Sequence, residues 1–184
     1  MSLGDFLRRL DERLDAAGIP FMVAGSVASS VHGAPRSTMD VDLVIDPDPL
    51  ALEALVSSFP EDAYYVSRDA ARAALRNRGQ FNVVDFETGW KVDFIIRKNR
   101  PFSVEEFGRR ARRSTMGVET WLASPEDVLL AKLEWAENGG GSDRQLADVK
   151  GILRSGVTLD DDYLDRWAEA LGVRSLLQQV RESP

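Results

Sequence analysis

The distribution of strand-forming segments along the chain limits the folds that it can adopt. Up to residue 122, segments with period-two alternation are interleaved with segments of helical periodicity. The SPED sequence at residues 124–127 then supplies a capping serine, a proline at the first helical position and an acidic residue at the third. Only helices are plausible after it. We therefore expect a mixed α/β core over residues 1–122 and a C-terminal helical subdomain over residues 123–184 packed on that core.

Periodicity also assigns the individual elements. Helices are predicted over residues 3–17, 27–32, 49–59, 70–78, 125–137, 143–153 and 161–171, with a short last helix and a basic helical segment after Pro101. Strands are predicted over residues 20–24, 40–45, 81–86, 90–96 and 117–121, and residues 87–89 predict a hairpin between two of them. The expected fold class is α/β (α+β), with a small mixed β-sheet flanked by helices.

Composition narrows the class of protein. The 184 residues are near the usual size of one domain, and 43% hydrophobic with 29% charged residues is typical of soluble globular proteins. No apolar run approaches the roughly 18 residues that span a bilayer, and the amphipathic N-terminus lacks the apolar segment of a secretion signal. The absence of cysteine excludes disulfides and thiolate metal sites. We expect a cytoplasmic protein with no membrane partner.

The balance of acidic and basic residues indicates whether nucleic acid is a plausible binding partner. There are 30 acidic and 23 basic residues, and the net charge of −7 argues against broad nonspecific binding to nucleic acid. A dense basic stretch follows Asp93, and it is either a local basic patch or a set of solvated faces. Its members are Arg97, Lys98, Arg100, Arg109, Arg110, Arg112 and Arg113.

Two carboxylates point to phosphate chemistry. Asp40 and Asp42 are two residues apart on a predicted strand, so their side chains leave the same face. At about 4 Å and an effective dielectric constant near 20, their repulsion approaches 4 kcal/mol, and a fold that keeps such a pair near a cleft normally supplies a cation. Oxygen ligands suit Mg²⁺ or Mn²⁺, which take their other ligands from phosphates and water.

Asp93 is the third candidate, because a charge in the middle of an apolar strand is costly without a partner. Asp85 competes with it but lies beside the hairpin turn, where an acidic residue is common. Gly25 and Ser26 stand at a strand-to-helix junction, where backbone N–H groups favour an anion. Taken singly, each pattern has a plainer interpretation, because an Asp-x-Asp pattern is commonly a solvated strand edge and a Gly-Ser pair before a helix is commonly a cap.

The order and spacing of these parts resemble the DNA polymerase β-like nucleotidyltransferase superfamily. Its hallmark is glycine followed by Gly or Ser, nine to thirteen further residues, and then Asp-hydrophobic-Asp/Glu-hydrophobic. Gly25 and Ser26, the thirteen residues 27–39, and residues 40–43 match that pattern, and Asp93 supplies the later strand aspartate. Residues 33–42, 81–85, 124–133 and 144–149 further resemble the AbiEii-like and related minimal nucleotidyltransferases.

The resemblance implies a nucleotidyltransferase fold and a two-metal transfer from a nucleoside triphosphate. Asp40 and Asp42 would bind both metals, and Asp93 would bind the catalytic one while aiding deprotonation of the acceptor. Gly25 and Ser26 would hold the β and γ phosphates. Two further nucleotide contacts are open: Arg36 is either a phosphate ligand or a surface arginine, and Lys132 either faces the cleft or extends along the surface to reach solvent.

Three other groups have simpler interpretations. Arg144 and Asp148 are four residues apart on one helix, and we expect a solvated ion pair, although the resemblance keeps Asp148 as a catalytic alternative. His32 is the only histidine, which excludes a histidine cluster, and we expect it to pack at a helix end. The tryptophans are expected to anchor the core. They are Trp90, Trp121, Trp135 and Trp167.

Three functions fit the sequence. The first is an enzyme that transfers a nucleoside monophosphate to a hydroxyl of RNA, such as tRNA, of a protein or of a small molecule. The resemblance to AbiEii-like proteins implies that a cognate toxin or antitoxin is a possible partner of such an enzyme. The second is a binding module that keeps the fold without transfer. The third is an aminoglycoside-type nucleotidyltransferase, whose acidic acceptor cleft the net charge permits.

Overall fold

The computed structural model describes residues 2–35, 37–139 and 142–182, apart from the side chain of Ser142. The strands are β1 (Phe21–Ala24), β2 (Asp40–Ile45), β3 (Tyr64–Val66), β4 (Gln80–Asp85), β5 (Lys91–Ile96), β6 (Ala111–Thr115) and β7 (Val118–Leu122). The helices are α1 (Leu3–Ala16), α2 (Gly25–Val31), α3 (Pro49–Ser57), α4 (Arg68–Asn77), α5 (Pro101–Gly108), α6 (Pro125–Glu137), α7 (Ser142–Arg154), α8 (Asp161–Ala170) and α9 (Arg174–Glu182).

The helix starts follow the capping residues of the sequence. Asp48 accepts a hydrogen bond from the Ala51 amide and Ser124 accepts one from the Asp127 amide, with proline in the first turn of each helix. These side chains pair amides that have no partner inside a helix. The predicted starts of α3 and α6 are therefore confirmed.

The seven strands found among the described residues belong to one mixed sheet in the order β3-β4-β5-β2-β1-β7-β6. Strand β2 runs parallel to β5 and β1 runs parallel to β7, whereas the other neighbours are antiparallel. Helix α2 contacts β1, β2, α6 and α7. It therefore connects the centre of the sheet to the C-terminal helices.

The predicted α/β class with a mixed sheet is confirmed, as is the hairpin of β4 and β5. Two strands were not predicted. Strand β3 has three residues, and β6 carries the basic sequence ARRST, which lies within the basic segment predicted to be helical after Pro101, although that helix ends at Gly108. Strand β3 forms one edge of the sheet and β6 forms the other. Edge strands are exposed on more than one side, and this exposure weakens the apolar alternation by which a strand is predicted.

One hydrophobic core extends from the sheet into the C-terminal helices, with Phe94, Leu129 and Leu164 fully buried within it. Its aromatic contacts include Phe81 stacked on Phe94 with ring centroids 5.1 Å apart. The division into two subdomains at residues 122 and 123 stays a prediction. In the described part of the chain, none of the helices combines the length and apolarity needed to cross a membrane.

The prediction that the tryptophans anchor the core is wrong for Trp135, which is 60% exposed on α6. Helix α6 turns its other faces inward, because Leu129, Leu130 and Leu133 fill the core. Trp90 does pack on Phe6, with ring centroids 6.2 Å apart.

Candidate active site

Four charged residues form a two-by-two array on one face of the sheet. The parallel register of β2 and β5 pairs Asp40 with Lys91 and Asp42 with Asp93. Residues directly opposite on neighbouring strands share a face, as do residues two apart on one strand. The three predicted aspartates therefore lie on one face of the sheet, and Lys91 is the fourth member of the array.

Lys91 joins two of the carboxylates. Its Nζ lies 2.9 Å from Asp93 Oδ2 and 3.4 Å from Asp40 Oδ1. The hydrogen bond to Asp93 and the charge of both carboxylates raise the pKa of the Lys91 ammonium, despite some desolvation. Sequence reasoning missed Lys91, although its position two residues before Asp93 on an alternating strand already places it on the same face.

Gly25 brings the Gly-Ser motif to the array. The antiparallel register of β1 and β2 pairs Ala24 with Asp42, so the chain leaves β1 beside the Asp42 carboxylate. Gly25 has φ of +55°, and an added Cβ would lie 2.5 Å from Asp42 Cγ and closer still to Oδ2. The Ser26 amide donates a hydrogen bond to that same carboxylate. The two sequence motifs thus meet at Asp42.

The array carries excess negative charge around Asp42. Burial raises the pKa of the Asp42 carboxyl above its ordinary value, and the neighbouring charges of Asp93 and Asp40 raise it further. The Ser26 amide and the positive charge of Lys132 act in the opposite direction. Because the raising effects prevail, Asp42 lies where additional positive charge would be stabilising.

Lys132 is buried rather than extended into solvent. Only 5% exposed, it places Nζ 2.6 Å from Asp148 Oδ2 and 3.0 Å from Gln145 Oε1. Lys132 therefore lies on the inner side of α6, and its positive charge partly offsets the rise in the pKa of the Asp42 carboxyl. Its contact with nucleotide stays a prediction. The alternative in which Lys132 reaches bulk solvent is wrong.

The predicted solvated pair of Arg144 with Asp148 is also wrong. Asp148 is 3% exposed, forms the ion pair with Lys132 and lies 3.3 Å from Ser29 Oγ on α2. The buried face of α7 includes Asp148 beside Val149, whereas Arg144 is exposed. A buried carboxylate needs a charged partner, and α6 supplies it.

Two other predicted residues have structural roles. Asp85 accepts hydrogen bonds from the Glu87 and Thr88 amides at the hairpin turn and pairs with Arg9 at 2.6 Å. Burial by itself raises the pKa of the Asp85 carboxyl, but these hydrogen bonds and the charge of Arg9 outweigh burial and lower the pKa below its ordinary value. His32 lies at the end of α2 with Nε2 2.8 Å from the Ala123 carbonyl oxygen, as expected of helix-end packing. Arg36 lies outside the described residues.

The basic stretch is partly neutralised and partly solvated. Arg97 pairs with Asp46 at 2.8 Å, Arg100 pairs with Glu134, and Arg109 pairs with two acidic residues at the start of α6. Arg112 and Arg113 are exposed on the edge strand β6. The stretch is therefore not one continuous patch of unpaired charge.

The array suits a cation by its chemistry. Carboxylate oxygens are ligands that Mg²⁺ and Mn²⁺ accept, and the Lys91 ammonium already lies between Asp40 and Asp93 as an internal cation. Within residues 2–35, 37–139 and 142–182, no three acidic or histidine side chains converge as a ready-made metal site. The carboxylate oxygens suit a divalent ion by their chemistry, but their positions do not form a finished metal site, and the cation that Asp40 and Asp93 now contact is the Lys91 ammonium.

No protein-family model and no curated protein sequence matches the chain. Solved structures do. The antibiotic-resistance factor ANT(2'')-Ia superposes with a TM-score of 0.61 at 13% identity, over 95% of this chain and 94% of that one. ANT(2'')-Ia in complex with adenylyl-2''-tobramycin has the same score and identity, over 95% of this chain and 99% of that one.

An antigenic nucleotidyltransferase-like protein from Paracoccidioides brasiliensis also superposes with a TM-score of 0.61, at 19% identity, over 97% of this chain and 91% of that one. Identities this low establish the fold alone. The strand order, the helices around the sheet and these superpositions lead to one conclusion: the chain has the nucleotidyltransferase fold.

Proposed function

We propose that the protein transfers a nucleoside monophosphate from a nucleoside triphosphate to an acceptor hydroxyl, with Mg²⁺ or Mn²⁺ as cofactor. The observation that carries the proposal is the meeting of Gly25 with the Asp42–Asp93 pair on a nucleotidyltransferase fold. A sheet face with three carboxylates and one ammonium has a net negative charge. It therefore attracts the cations that accompany a triphosphate in solution.

Each residue of the array has a proposed role. Asp40, Asp42 and Asp93 would hold the divalent ion, which when bound supplies Lewis-acid stabilisation of charge on the phosphates. Asp93, which is paired with Asp42 in the register, would also aid deprotonation of the attacking hydroxyl, as the resemblance to the superfamily implies.

Three further residues would contact the nucleotide. Gly25 and Ser26 would approach the β and γ phosphates through the backbone, since glycine leaves room for close approach. Lys132 would contribute positive charge from the inner side of α6. Arg36 is retained as a proposed phosphate ligand.

The acceptor class is a separate part of the proposal. ANT(2'')-Ia has been solved with an adenylylated aminoglycoside, and this chain covers nearly the whole of that protein. That complex supports testing a small-molecule hydroxyl as an acceptor beside tRNA and protein. The AbiEii-like resemblance adds a cognate toxin or antitoxin as a proposed partner.

A second candidate function is a non-catalytic nucleotide-binding or partner-binding module with the same fold. The observation that favours it is the ion pair of Lys91 with Asp93, because an ammonium at 2.9 Å already satisfies part of the charge that a metal would satisfy. The two functions differ in one measurable property, which is transfer of the nucleotide.

Transfer can be measured with each α-labelled nucleoside triphosphate, Mg²⁺ or Mn²⁺, and separate acceptor pools of total tRNA, lysate protein and aminoglycosides. We expect label on one pool with the wild type and loss of at least a hundredfold in D42N, which keeps the side-chain volume beside Gly25. D48N is the matched control, because asparagine also caps a helix and residue 48 lies outside the array. Triphosphate binding without transfer to any pool would select the non-catalytic module instead.

A further inference from the structure

Lys91 is the one member of the array that the Gly-Ser and aspartate motif does not include. Its Cα is the cross-strand partner of Asp40, and its ammonium bridges Asp40 and Asp93, two of the three carboxylates proposed to hold a divalent ion. Its side chain is about one-third exposed, at 32%, so the ammonium is accessible to the solvent from which a metal would arrive.

The strand register makes this arrangement hard to avoid. Three carboxylates on one sheet face repel each other, and the hydrogen bonds of the ladder prevent their strands from separating. A lysine at the fourth position of the array neutralises part of that repulsion within the chain itself. In the absence of a divalent ion, Lys91 therefore stabilises the strand pair β2–β5.

The same contact opposes metal binding. A divalent ion that takes the Asp40 and Asp93 oxygens must compete with an ammonium already within 3.4 Å of both. At such short distances the divalent ion and the Lys91 ammonium repel each other, so the ammonium must swing away or remain at an energetic cost.

We propose that Lys91 is the internal counter-ion of this site, occupying the place of the divalent ion in the metal-free protein and weakening its binding. This inference rests on the metal site of the proposed function and adds a competing cation to it. The direction in which metal affinity changes when Lys91 is replaced distinguishes this role from a structural one. A residue that merely supports the fold would weaken metal binding when replaced, whereas removal of a competitor strengthens it.

The test is direct titration of Mn²⁺ in the absence of nucleotide, followed by electron paramagnetic resonance of the free ion. In K91M the ammonium is lost while the apolar stem is kept, and we expect the Kd for Mn²⁺ to fall about tenfold, because exposure screens part of the charge effect. K91R keeps the charge and should remain near wild type. K98M is the matched control, since Lys98 is an exposed lysine just beyond β5.

A second readout is the melting temperature. Without metal, K91M should melt below the wild type, and saturating Mn²⁺ should raise its melting temperature more than it raises that of the wild type. The proposal is supported if K91M shows both a lower Kd for Mn²⁺ and a larger metal-induced rise in melting temperature. A variant that had only lost stability would melt lower without binding Mn²⁺ more tightly.

The outcomes distinguish the two proposals. If the wild type binds Mn²⁺ and D42N does not, but K91M binds it equally or more weakly, the counter-ion role of Lys91 is overturned and the metal site stands. If neither the wild type nor K91M binds Mn²⁺, the metal site itself is overturned, and the role of Lys91 with it.

Discussion

Gly25 lies so close to Asp42 that any side chain at residue 25 would overlap the carboxylate. The contact arises because β1 ends where β2 begins, with Ala24 and Asp42 paired in the antiparallel register. Glycine is therefore needed at this position for two reasons, a positive φ and the absence of a Cβ.

Replacing Gly25 with alanine should both destabilise the protein and displace Asp42. The positive φ alone costs about 1–2 kcal/mol, and overlap with Asp42 adds to this cost. G18A is the matched control, because Gly18 has a similar φ of +66° with nothing within 4 Å of an added Cβ. Urea denaturation should show a clearly larger loss for G25A than for G18A. Equal losses would mean that packing on Asp42 is unimportant.

The stability of the protein should depend on the protonation of Asp11. This carboxyl is 6% exposed, accepts a hydrogen bond from Thr120 at 3.0 Å, and has its pKa raised by burial to about 6. Since the folded state holds this proton more tightly than the unfolded chain, the Asp11 contribution to the free energy of unfolding falls as pH rises from 4 to 6. The loss is about 3 kcal/mol.

D11N removes that titration. We expect the difference in free energy of unfolding between wild type and D11N to change by this amount between pH 4 and pH 7, in favour of D11N at the higher pH. Urea denaturation across this range measures it. D62N, at an exposed aspartate, should leave the pH profile unchanged, and a parallel profile for D11N would show that burial does not raise this pKa.

The Lys132–Asp148 pair should be strongly coupled. Either K132M or D148N alone should cost about 3 kcal/mol, because each leaves its partner charged and buried. The double variant should cost less than the sum of the two. The exposed pair of Arg174 with Glu169, at 3.0 Å, provides a control cycle with coupling below about 1 kcal/mol. Additive losses at Lys132 and Asp148 would contradict the buried pairing.

Removing the hydroxyl of Tyr163 should weaken the attachment of α8 to α6. This hydroxyl donates to the buried Asp127 carboxylate at 2.6 Å, and Arg109 lies over the ring at 3.8 Å. Y163F should cost about 2 kcal/mol, because Asp127 loses a hydrogen bond in a buried setting. Y65F is the control at a tyrosine that is 52% exposed. Similar melting temperatures for Y163F and Y65F would refute the expectation.

Local sequence determined much of the fold. Alternation along residues 40–45 placed Asp40 and Asp42 on one face, and capping residues at Asp48 and Ser124 placed two helix starts. These features depend on neighbours within a few residues, so they can be inferred without knowing the rest of the chain. The hairpin of β4 and β5 belongs to the same class.

The tertiary structure decided which distant residues meet. The register of β2 against β5 set Lys91 between Asp40 and Asp93, and the packing of α7 on α6 turned Asp148 inward to Lys132. Edge strands β3 and β6 likewise formed on the sheet without a strong pattern of their own. The physical reason is that these contacts join segments far apart in the chain, where pairing and burial, rather than local periodicity, fix the partner of each charge.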